Sequence, residues 1–250
     1  LARKEFEIEY QPQIALPDRR LTGFEALVRW HHPGRGRVSP LEFIGLAEEL
    51  GEIHAIGEWV LRTACQEAAG WPGELAVAVN VSPVQFDRPD IVTAVREALA
   101  DSGLPPSRLE IEITESVLMN DSGHVLDRLH AIRAMGVGVA LDDFGTGYSS
   151  LSYLSSFPFS KIKIDKSFVQ GHESNARSKV LVRSILALGD SLGMATLAEG
   201  IETPEQCSAL AEGGCRSAQG YLFGRPVPRT DVSAFIASCT DGFAPGGTAC

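Results

Sequence analysis

The sequence predicts an α/β protein whose strands close into a (β/α)8 barrel of the TIM type. Eight short runs rich in Val, Ile, Leu, Phe and Tyr have the composition of buried strands. Segments with apolar residues at helical spacing lie between most of these runs. Strand alternating with helix eight times is typical of such a barrel, and 250 residues suffice for one. An open doubly wound sheet is the alternative architecture.

The predicted strands are short and follow one another at fairly regular intervals. In chain order they are Phe6–Tyr10, Leu21–Val28, Leu75–Val81, Leu109–Ile113, Val137–Leu141, Lys161–Asp165, Met194–Ala198 and Ser217–Leu222. The last is the weakest, because Gly220 interrupts it. Capping boxes with proline at the first helical position predict helix starts at Ser39 and Thr203. Further helices are predicted from His54 to Ala69, from Pro89, from Val125 to Gly136, from Leu181 to Gly193 and from Thr230 to Ser238.

Composition excludes several classes of function. The formal charge of −10 argues against non-specific nucleic-acid binding. Five cysteines without a CxxC pair predict free thiols in a reducing compartment and argue against a zinc cluster. No apolar run approaches the roughly 18 residues of a membrane span, and no signal peptide is evident, so we expect a cytoplasmic domain. We expect one domain over residues 1–239, a disordered tail over 240–250, and an origin within a longer protein.

Two adjacent carboxylates give the clearest local signal. The segment VGVALDDFGTGYSSL begins as an apolar strand and then places Asp142 and Asp143 at its end. Such neighbours repel each other and are costly to desolvate. Because side chains alternate along a strand, both can serve one site only if the chain bends, which Gly145 and Gly147 permit. A divalent cation would relieve the repulsion, and oxygen ligands suit magnesium, manganese or calcium.

Polar residues recur at or near the ends of the other predicted strands. They are Glu25, Asn80, Glu112, Lys163, Asp165, Glu199 and Gln219. The carboxyl ends of barrel strands meet at one face, where active sites are built. This inventory is poor for zinc but suits two oxygen-liganded cations about 3.5–4 Å apart, a common device for phosphodiester hydrolysis.

At these residues the chain resembles the EAL domains, the family of cyclic di-GMP-specific phosphodiesterases of bacterial signalling. The resemblance extends from about Phe6 to Ile236 and rests on seven motifs in order. They are FEALVRW, NVSPVQF, EITE, DDFGTGYSSL, KIDKSF, EGIET and QGYLFGRP. It implies a barrel whose first strand runs antiparallel, hydrolysis of cyclic di-GMP to linear 5′-pGpG, a homodimer, and a flanking sensory or GGDEF-type domain in the full-length protein.

The resemblance also implies a role for each matching residue. One metal would be held by Glu25, Asn80, Glu112 and Asp142, and a second by Asp142, Asp143 and Glu199. Lys163 would position the attacking water, Glu199 has been assigned as a base, and Glu25 belongs to the catalytic set. Nucleotide contacts or support would come from Gln11, Arg29, Asp165 and Gln219. Coupling of metal binding to dimer contacts would involve Glu115, Phe144, Gly145 and Gly147. The implied cofactor is Mg2+ or Mn2+ at two sites, with Ca2+ inhibitory.

Two alternatives stay open. The first is a receptor that binds cyclic di-GMP without hydrolysing it and signals through a protein partner; the absence of substitutions at the ligand positions argues against it. The second is an aldolase that forms a Schiff base on Lys163, for which the surrounding carboxylates are an unfavourable setting. Burial lowers the pKa of a lysine and neighbouring carboxylates raise it, and the sequence does not rank these effects.

Overall fold

The computed structural model describes residues 1, 3–119, 123–145, 154, 156–170 and 176–239. Within them, ten strands form one sheet in the order β10-β1-β9-β8-β7-β6-β5-β4-β2-β3. The strands are β1 Phe6–Ala15, β2 Leu21–His32, β3 Gly36–Val38, β4 Ala76–Asn80, β5 Leu109–Thr114, β6 Gly138–Phe144, β7 Lys161–Ile164, β8 Ala195–Ala198, β9 Ser217–Gln219 and β10 Val227–Pro228. An additional pairing of β1 with β2 closes an eight-stranded barrel, which confirms the predicted fold class.

The first strand runs against the others. β1 pairs antiparallel with both β2 and β9, whereas β2 and β4 to β9 pair in parallel around the rest of the barrel. The register places Gln11 opposite Glu25 and Gln13 opposite Gln219. The amino-terminal half of β1 therefore lies at the mouth formed by the carboxyl ends of the parallel strands. This orientation agrees with the one that the family resemblance implies.

The described helices surround the barrel. They are α1 Pro40–Glu49, α2 Ile53–Ala69, α3 Asp90–Ser102, α4 Ser116–Met119, α5 Gly123–Ala134, α6 Lys166–Gln170, α7 Ala176–Leu192, α8 Pro204–Glu212 and α9 Arg229–Ser238. The capping box predicted at Thr203 is present, with both hydrogen bonds made. The one predicted at Ser39 is wrong: Ser39 is the N-cap, but its side chain makes no capping bond in the described structure.

The inner and outer faces of the barrel differ in polarity. Apolar side chains such as Ile111, Ile113 and Ile162 are buried against the helices on the outside. The interior holds charged pairs instead of only the usual layers of branched apolar residues. One is the ion pair of Lys161 Nζ with Glu110 Oε1, at 2.6 Å. The charged interior is the feature that positions the functional site.

The predictions about the cysteines and about membrane-spanning segments can be compared with the described residues. Cys65, Cys207, Cys215 and Cys239 are free thiols, and Cys250 lies outside the described residues with the rest of 240–250. Among the described helices, none combines the length and hydrophobicity of a membrane-spanning segment.

Candidate functional site

A buried lysine stands at the centre of the site. Lys163, on β7, is 1% exposed and is surrounded by carboxylates from four other places in the barrel. Its Nζ lies 2.7 Å from Glu112 Oε2, 2.8 Å from Glu199 Oε1, 3.2 Å from Asp142 Oδ1 and 3.8 Å from Glu25 Oε1. The structure therefore brings together residues that are up to 174 positions apart in the chain (199 − 25).

Glu25 is held by amide side chains on both of its oxygens. Asn80 Nδ2 donates to Oε1 at 2.6 Å, and Gln219 Nε2 donates to Oε2. Gln219 Nε2 also contacts Gln11 Oε1 at 3.2 Å, and Gln219 Oε1 accepts from Gln13 Nε2 at 3.1 Å. This amide chain fixes the orientation of Glu25 at the seam where β1 closes the barrel.

The two adjacent aspartates lie at an irregularity in the sheet. The register of β6 against β7 shifts between Leu141 and Phe144, the last residue of β6. Asp143 itself adopts a left-handed conformation, with φ of 54°, and its backbone N–H donates to Asp142 Oδ1 at 2.9 Å. Aspartate tolerates this conformation better than most residues. The predicted bend is therefore present, but it falls on Asp143 rather than on the glycines alone.

Glu115 holds the backbone just beyond this bend. Gly145 has φ of 99°, and its N–H donates to Glu115 Oε1 at 2.8 Å. Glu115 is itself buried. The contact links the segment after β5 to the end of β6. Gly147, which we expected to act with these residues, lies outside the described residues.

The ionisation of the site follows from burial and crowding. Burial alone would lower the pKa of Lys163, but the carboxylates around it, Glu112 foremost, raise that pKa well above its ordinary value. Burial and the charge of Asp142 raise the pKa of Glu199 to about 8, although Lys163 opposes this. The lysine is therefore a cation at neutral pH, which is opposite to what a Schiff-base lysine requires.

Burial and neighbouring charges also shift the pKa values of Glu112, Asp143 and Glu25, in different directions. Burial raises the pKa of Glu112 well above its ordinary value, against the effect of Lys163. Burial and the charge of Asp142 raise the pKa of Asp143 to about 6. Burial also acts to raise the pKa of Glu25, but Lys163 and the bonds from Gln219 and Asn80 outweigh it and lower that pKa. Among Glu25, Glu112, Asp143 and Glu199, only Glu25 has a lowered pKa, so its ionised form is favoured.

The acidic side chains form two groups of oxygen donors that share one residue. Glu25, Glu112 and Asp142 can each place one oxygen within 4.8 Å of the others, and so can Asp142, Asp143 and Glu199. Glu112 Oε1 is buried and has no hydrogen-bond partner among the described residues. A buried carboxylate oxygen without a partner is costly, and a cation would satisfy it. The donor set therefore fits two neighbouring hard divalent cations.

A cavity of about 560 Å³ lies beside the acidic cluster, between the end of β2, helices α1 and α2, and the segment after β4. Apolar side chains such as Leu41, Ile44 and Ile56 line most of it, while Arg29 and Asn80 contribute polar groups. Its size is within the range of small-molecule sites. Asp165, another predicted substrate contact, accepts the Ser167 N–H on Oδ1 at 3.0 Å, and its side chain also hydrogen-bonds with Asp143 of the acidic cluster.

Sequence reasoning missed the polar residues of β1 other than Gln11. Glu9 and Gln13 are buried, and the polar positions Glu7, Glu9, Gln11 and Gln13 alternate with Ile8, Tyr10, Pro12 and Ile14. Strict alternation places one set on each face of a strand. That pattern could have shown that the interior of this barrel is polar on the side of β1.

Fold and site together define a class: α/β barrels with a carboxylate-rich mouth and one antiparallel strand. The chain belongs to the EAL domain family, whose profile matches residues 1–226. The bifunctional diguanylate cyclase/cyclic di-GMP phosphodiesterase MucR of Pseudomonas aeruginosa is 42% identical over 241 residues, which cover 95% of this chain and 35% of that protein. The chain spans about a third of the length of the curated relatives it matches.

Solved structures with similar folds contain cyclic di-GMP. The PaMucR phosphodiesterase in complex with c-di-GMP has a TM-score of 0.88 and 42% identity, covering 92% of this chain and 95% of that one. Klebsiella pneumoniae BlrP1, in a calcium/c-di-GMP complex at pH 8.0, has a TM-score of 0.81 and 32% identity, covering 92% of this chain and 57% of that one. The family is thus one of cyclic di-GMP phosphodiesterases.

Proposed function

We propose that this domain hydrolyses one phosphodiester bond of cyclic di-GMP to give linear 5′-pGpG. The observation that supports the proposal most strongly is the pair of acidic groups that share Asp142 around the buried cation of Lys163. Membership of the EAL family and the c-di-GMP complexes of similar structures point to the same substrate. The cavity beside Asn80 offers space for part of the nucleotide next to the acidic groups.

In this proposal one metal would be held by Glu25, Asn80, Glu112 and Asp142, and the other by Asp142, Asp143 and Glu199. Bound divalent cations supply an activated water and neutralise charge on the phosphoryl oxygens. Mg2+ and Mn2+ suit this ligand set, and the larger, more loosely coordinated Ca2+ is expected to support binding but not turnover.

The chain's own residues hold the reactants. Lys163 stays protonated, so it acts as a donor that orients the water and stabilises negative charge rather than as a base. Glu199 Oε1 lies 2.8 Å from Lys163 Nζ, so it is placed to receive a proton from the attacking water. Water adds to phosphorus, the bond to one ribose 3′ oxygen breaks, and that oxygen leaves protonated. The nucleotide would be oriented by Gln11, Arg29, Asp165 and Gln219.

The test is product analysis on purified protein. With Mg2+ or Mn2+ we expect 5′-pGpG by chromatography, and with Ca2+ none. Glu25→Ala should lower kcat by about 100-fold or more. It removes an oxygen donor that lies near those of Glu112 and Asp142 and that also contacts Lys163. The matched control is Glu74→Ala, an exposed glutamate shortly before β4, which should match wild type. Equal turnover in both variants would exclude the assigned site.

The alternative is a receptor that binds the dinucleotide and acts through a partner. Tight binding in Ca2+ with no product in Mg2+ or Mn2+ after long incubation would favour it. The bifunctional relative MucR combines the phosphodiesterase with a diguanylate cyclase activity, so we propose a GGDEF-type or sensory domain beside this one in the full-length protein. A homodimer whose contacts respond to the Glu115–Gly145 link is part of the same proposal.

A further inference from the structure

A second charged cluster lies at the mouth, where the first two strands pair. Glu9 Oε2 accepts from Arg29 Nε at 2.7 Å and from Arg37 Nη2 at 2.6 Å. The Glu9 and Arg29 side chains are only 11% and 12% exposed, whereas Arg37 is 54% exposed. Arg29 Nη1 also donates to the Val28 carbonyl at 3.1 Å. Arg29 is therefore fixed at Nε and Nη1, while Nη2 has no partner among the described residues.

The sheet register brings Glu9 to Arg29. Glu7 lies directly opposite Arg29, and Glu9 is its diagonal neighbour on the same face. Glu7 instead contacts His31 Nε2 at 2.5 Å. Only because β1 runs antiparallel does Glu9, early in its strand, reach the same level as Arg29, late in β2. The carboxylate thus lies beside the cavity that Arg29 lines.

A buried carboxylate at the entrance to an anion site opposes binding by its charge. Any favourable contribution of Glu9 to binding must therefore come from the way it orients its neighbours. An arginine side chain has several rotatable bonds, and holding its guanidinium before binding saves the entropy that ordering it would cost. A charge-assisted bond to Nε orients the plane of the guanidinium and leaves Nη2 to donate to an oxyanion.

We propose that Glu9 is a positioning residue that holds Arg29 in the orientation that binds a phosphate of the dinucleotide, with Arg37 offsetting the charge of Glu9. This inference rests on the proposed function, because it takes cyclic di-GMP as the ligand. Glu9 does not contact the reacting atoms, and it acts through Arg29 alone.

The test is a double-mutant cycle of Glu9→Gln and Arg29→Ala in the otherwise intact domain. The measured quantities are kcat and KM with Mg2+ or Mn2+, and the Kd of cyclic di-GMP with Ca2+ by calorimetry. Glu9→Gln should weaken binding and raise KM about tenfold with little change in kcat. In the Arg29→Ala background the same substitution should change neither quantity by more than about twofold.

Two further variants separate geometry from charge. Glu7→Gln removes one negative charge from the same strand and should leave KM and Kd unchanged. Glu9→Asp keeps the charge but shortens the side chain, so it should lose the contact with Arg29 Nε and behave like Glu9→Gln. Thermal melting of each variant verifies folding, and Glu9→Asp keeps the test decisive if Glu9→Gln does not fold.

The outcomes are distinguishable from those of the proposed function. If wild type hydrolyses cyclic di-GMP and Glu9→Gln binds it equally or more tightly, the positioning role is wrong and the proposed function stands. If wild type binds cyclic di-GMP without hydrolysing it, the proposed function fails, and the Kd values alone test the positioning role. Additive effects of Glu9→Gln and Arg29→Ala would also overturn it. If wild type neither binds nor hydrolyses cyclic di-GMP, both proposals fail together.

Discussion

At the scale of single residues, the decisive feature is one cation among four carboxylates. Lys163 contacts Glu25, Glu112, Asp142 and Glu199, so the cluster would carry a charge of −3 if every group were ionised (1 − 4). Burying such an excess is unfavourable, which is why the pKa values of Glu112 and Glu199 are raised. The site is therefore organised for added positive charge rather than for its own stability.

A divalent cation bound by these carboxylates would compete with Lys163 for the same oxygens. Lys163 Nζ lies 2.7 Å from Glu112 Oε2 and 3.2 Å from Asp142 Oδ1. Both carboxylates belong to the group of oxygen donors formed by Glu25, Glu112 and Asp142. We predict that Lys163→Met abolishes turnover but strengthens metal binding about tenfold, because a competing charge is removed. The added stability at a fixed Mn2+ concentration should raise the melting temperature by about 2–4 °C per kcal/mol. Thermal melting with and without Mn2+ measures this difference.

The control for Lys163→Met is Lys161→Met on the same strand. Lys161 pairs with Glu110 and contacts none of the candidate ligands in the described structure. Its replacement should destabilise the barrel while leaving the Mn2+-induced shift as in wild type. A smaller Mn2+ shift in Lys163→Met than in wild type would contradict the competition.

How much of the site the sequence could predict depends on the type of residue. The strand-end position of Glu25, Glu112 and Lys163 places them at one mouth, because parallel strands share their carboxyl ends. Glu9 could not be placed in this way, because it lies early in β1, and only the antiparallel direction of that strand brings it to the mouth. The pKa of Lys163 depends on distances to neighbours from other strands, which no local pattern contains.

At the scale of elements, helix α2 supports the turn that follows Asn80, a proposed metal ligand. Gly57 of α2 packs against Gln85, and a Cβ at Gly57 would lie 2.1 Å from Gln85 Nε2. Gln85 is buried, and its Oε1 accepts the Ser82 N–H at 3.1 Å, which completes the capping box of the short helix Pro83–Asp87. A glycine within a helix is thus explained by close packing.

We predict that Gly57→Ala lowers the free energy of unfolding by about 1–3 kcal/mol, because the side chain of Gln85 must move out of a closed space. Gly45→Ala in α1 is the matched control, since a Cβ there meets no atom within 4 Å. That substitution should stabilise the protein by about 0.5–1 kcal/mol through helix propensity alone. Urea unfolding measures both, and equal effects would show that Gln85 adapts freely.

The two predicted capping boxes show why a local motif predicts where a helix begins better than it predicts which side-chain hydrogen bonds form. Thr203 and Ser39 precede the same pattern of proline and an N3 acceptor, and both helices begin where expected. Gln206 folds back to Thr203, whereas Glu42 pairs with Arg35 Nη2 at 2.7 Å. A charged partner from the neighbouring hairpin therefore replaces the local bond.

At the scale of the whole molecule, the barrel closes through β1, and the amino-acid composition of this strand does not determine its direction. Period-two alternation is the same when a strand is followed in either direction. Alternating strands and helices favour parallel pairing, but β1 is followed directly by β2, and antiparallel neighbours can be joined by a short turn. Only the family resemblance indicated the direction, and the register Gln11–Glu25 follows from it.

The stability of the barrel without metal should decrease as pH rises. Burial and neighbouring charges raise the folded-state pKa of Glu199 to about 8 and of Asp143 to about 6, above their unfolded values near 4. Between these values the native state binds more protons than the unfolded chain, so the free energy of unfolding falls as pH increases from about 5 to about 8. Lys163, with a raised pKa, stays protonated throughout and contributes no slope in this window.

We expect bound metal to reverse the sign of this dependence. Divalent cations bind the ionised carboxylates, so their affinity rises with pH over the same window and offsets the loss of stability. We predict a melting temperature that falls from pH 5 to pH 8 in a chelator and is flat or rising with Mn2+. Glu199→Gln should flatten the chelator curve, whereas Glu202→Gln, at an exposed neighbouring position, should not. A chelator curve that rises toward pH 8 in wild type would mean that the acidic cluster is not strained by its own charge, and the physical case for a metal-dependent site would lose its basis.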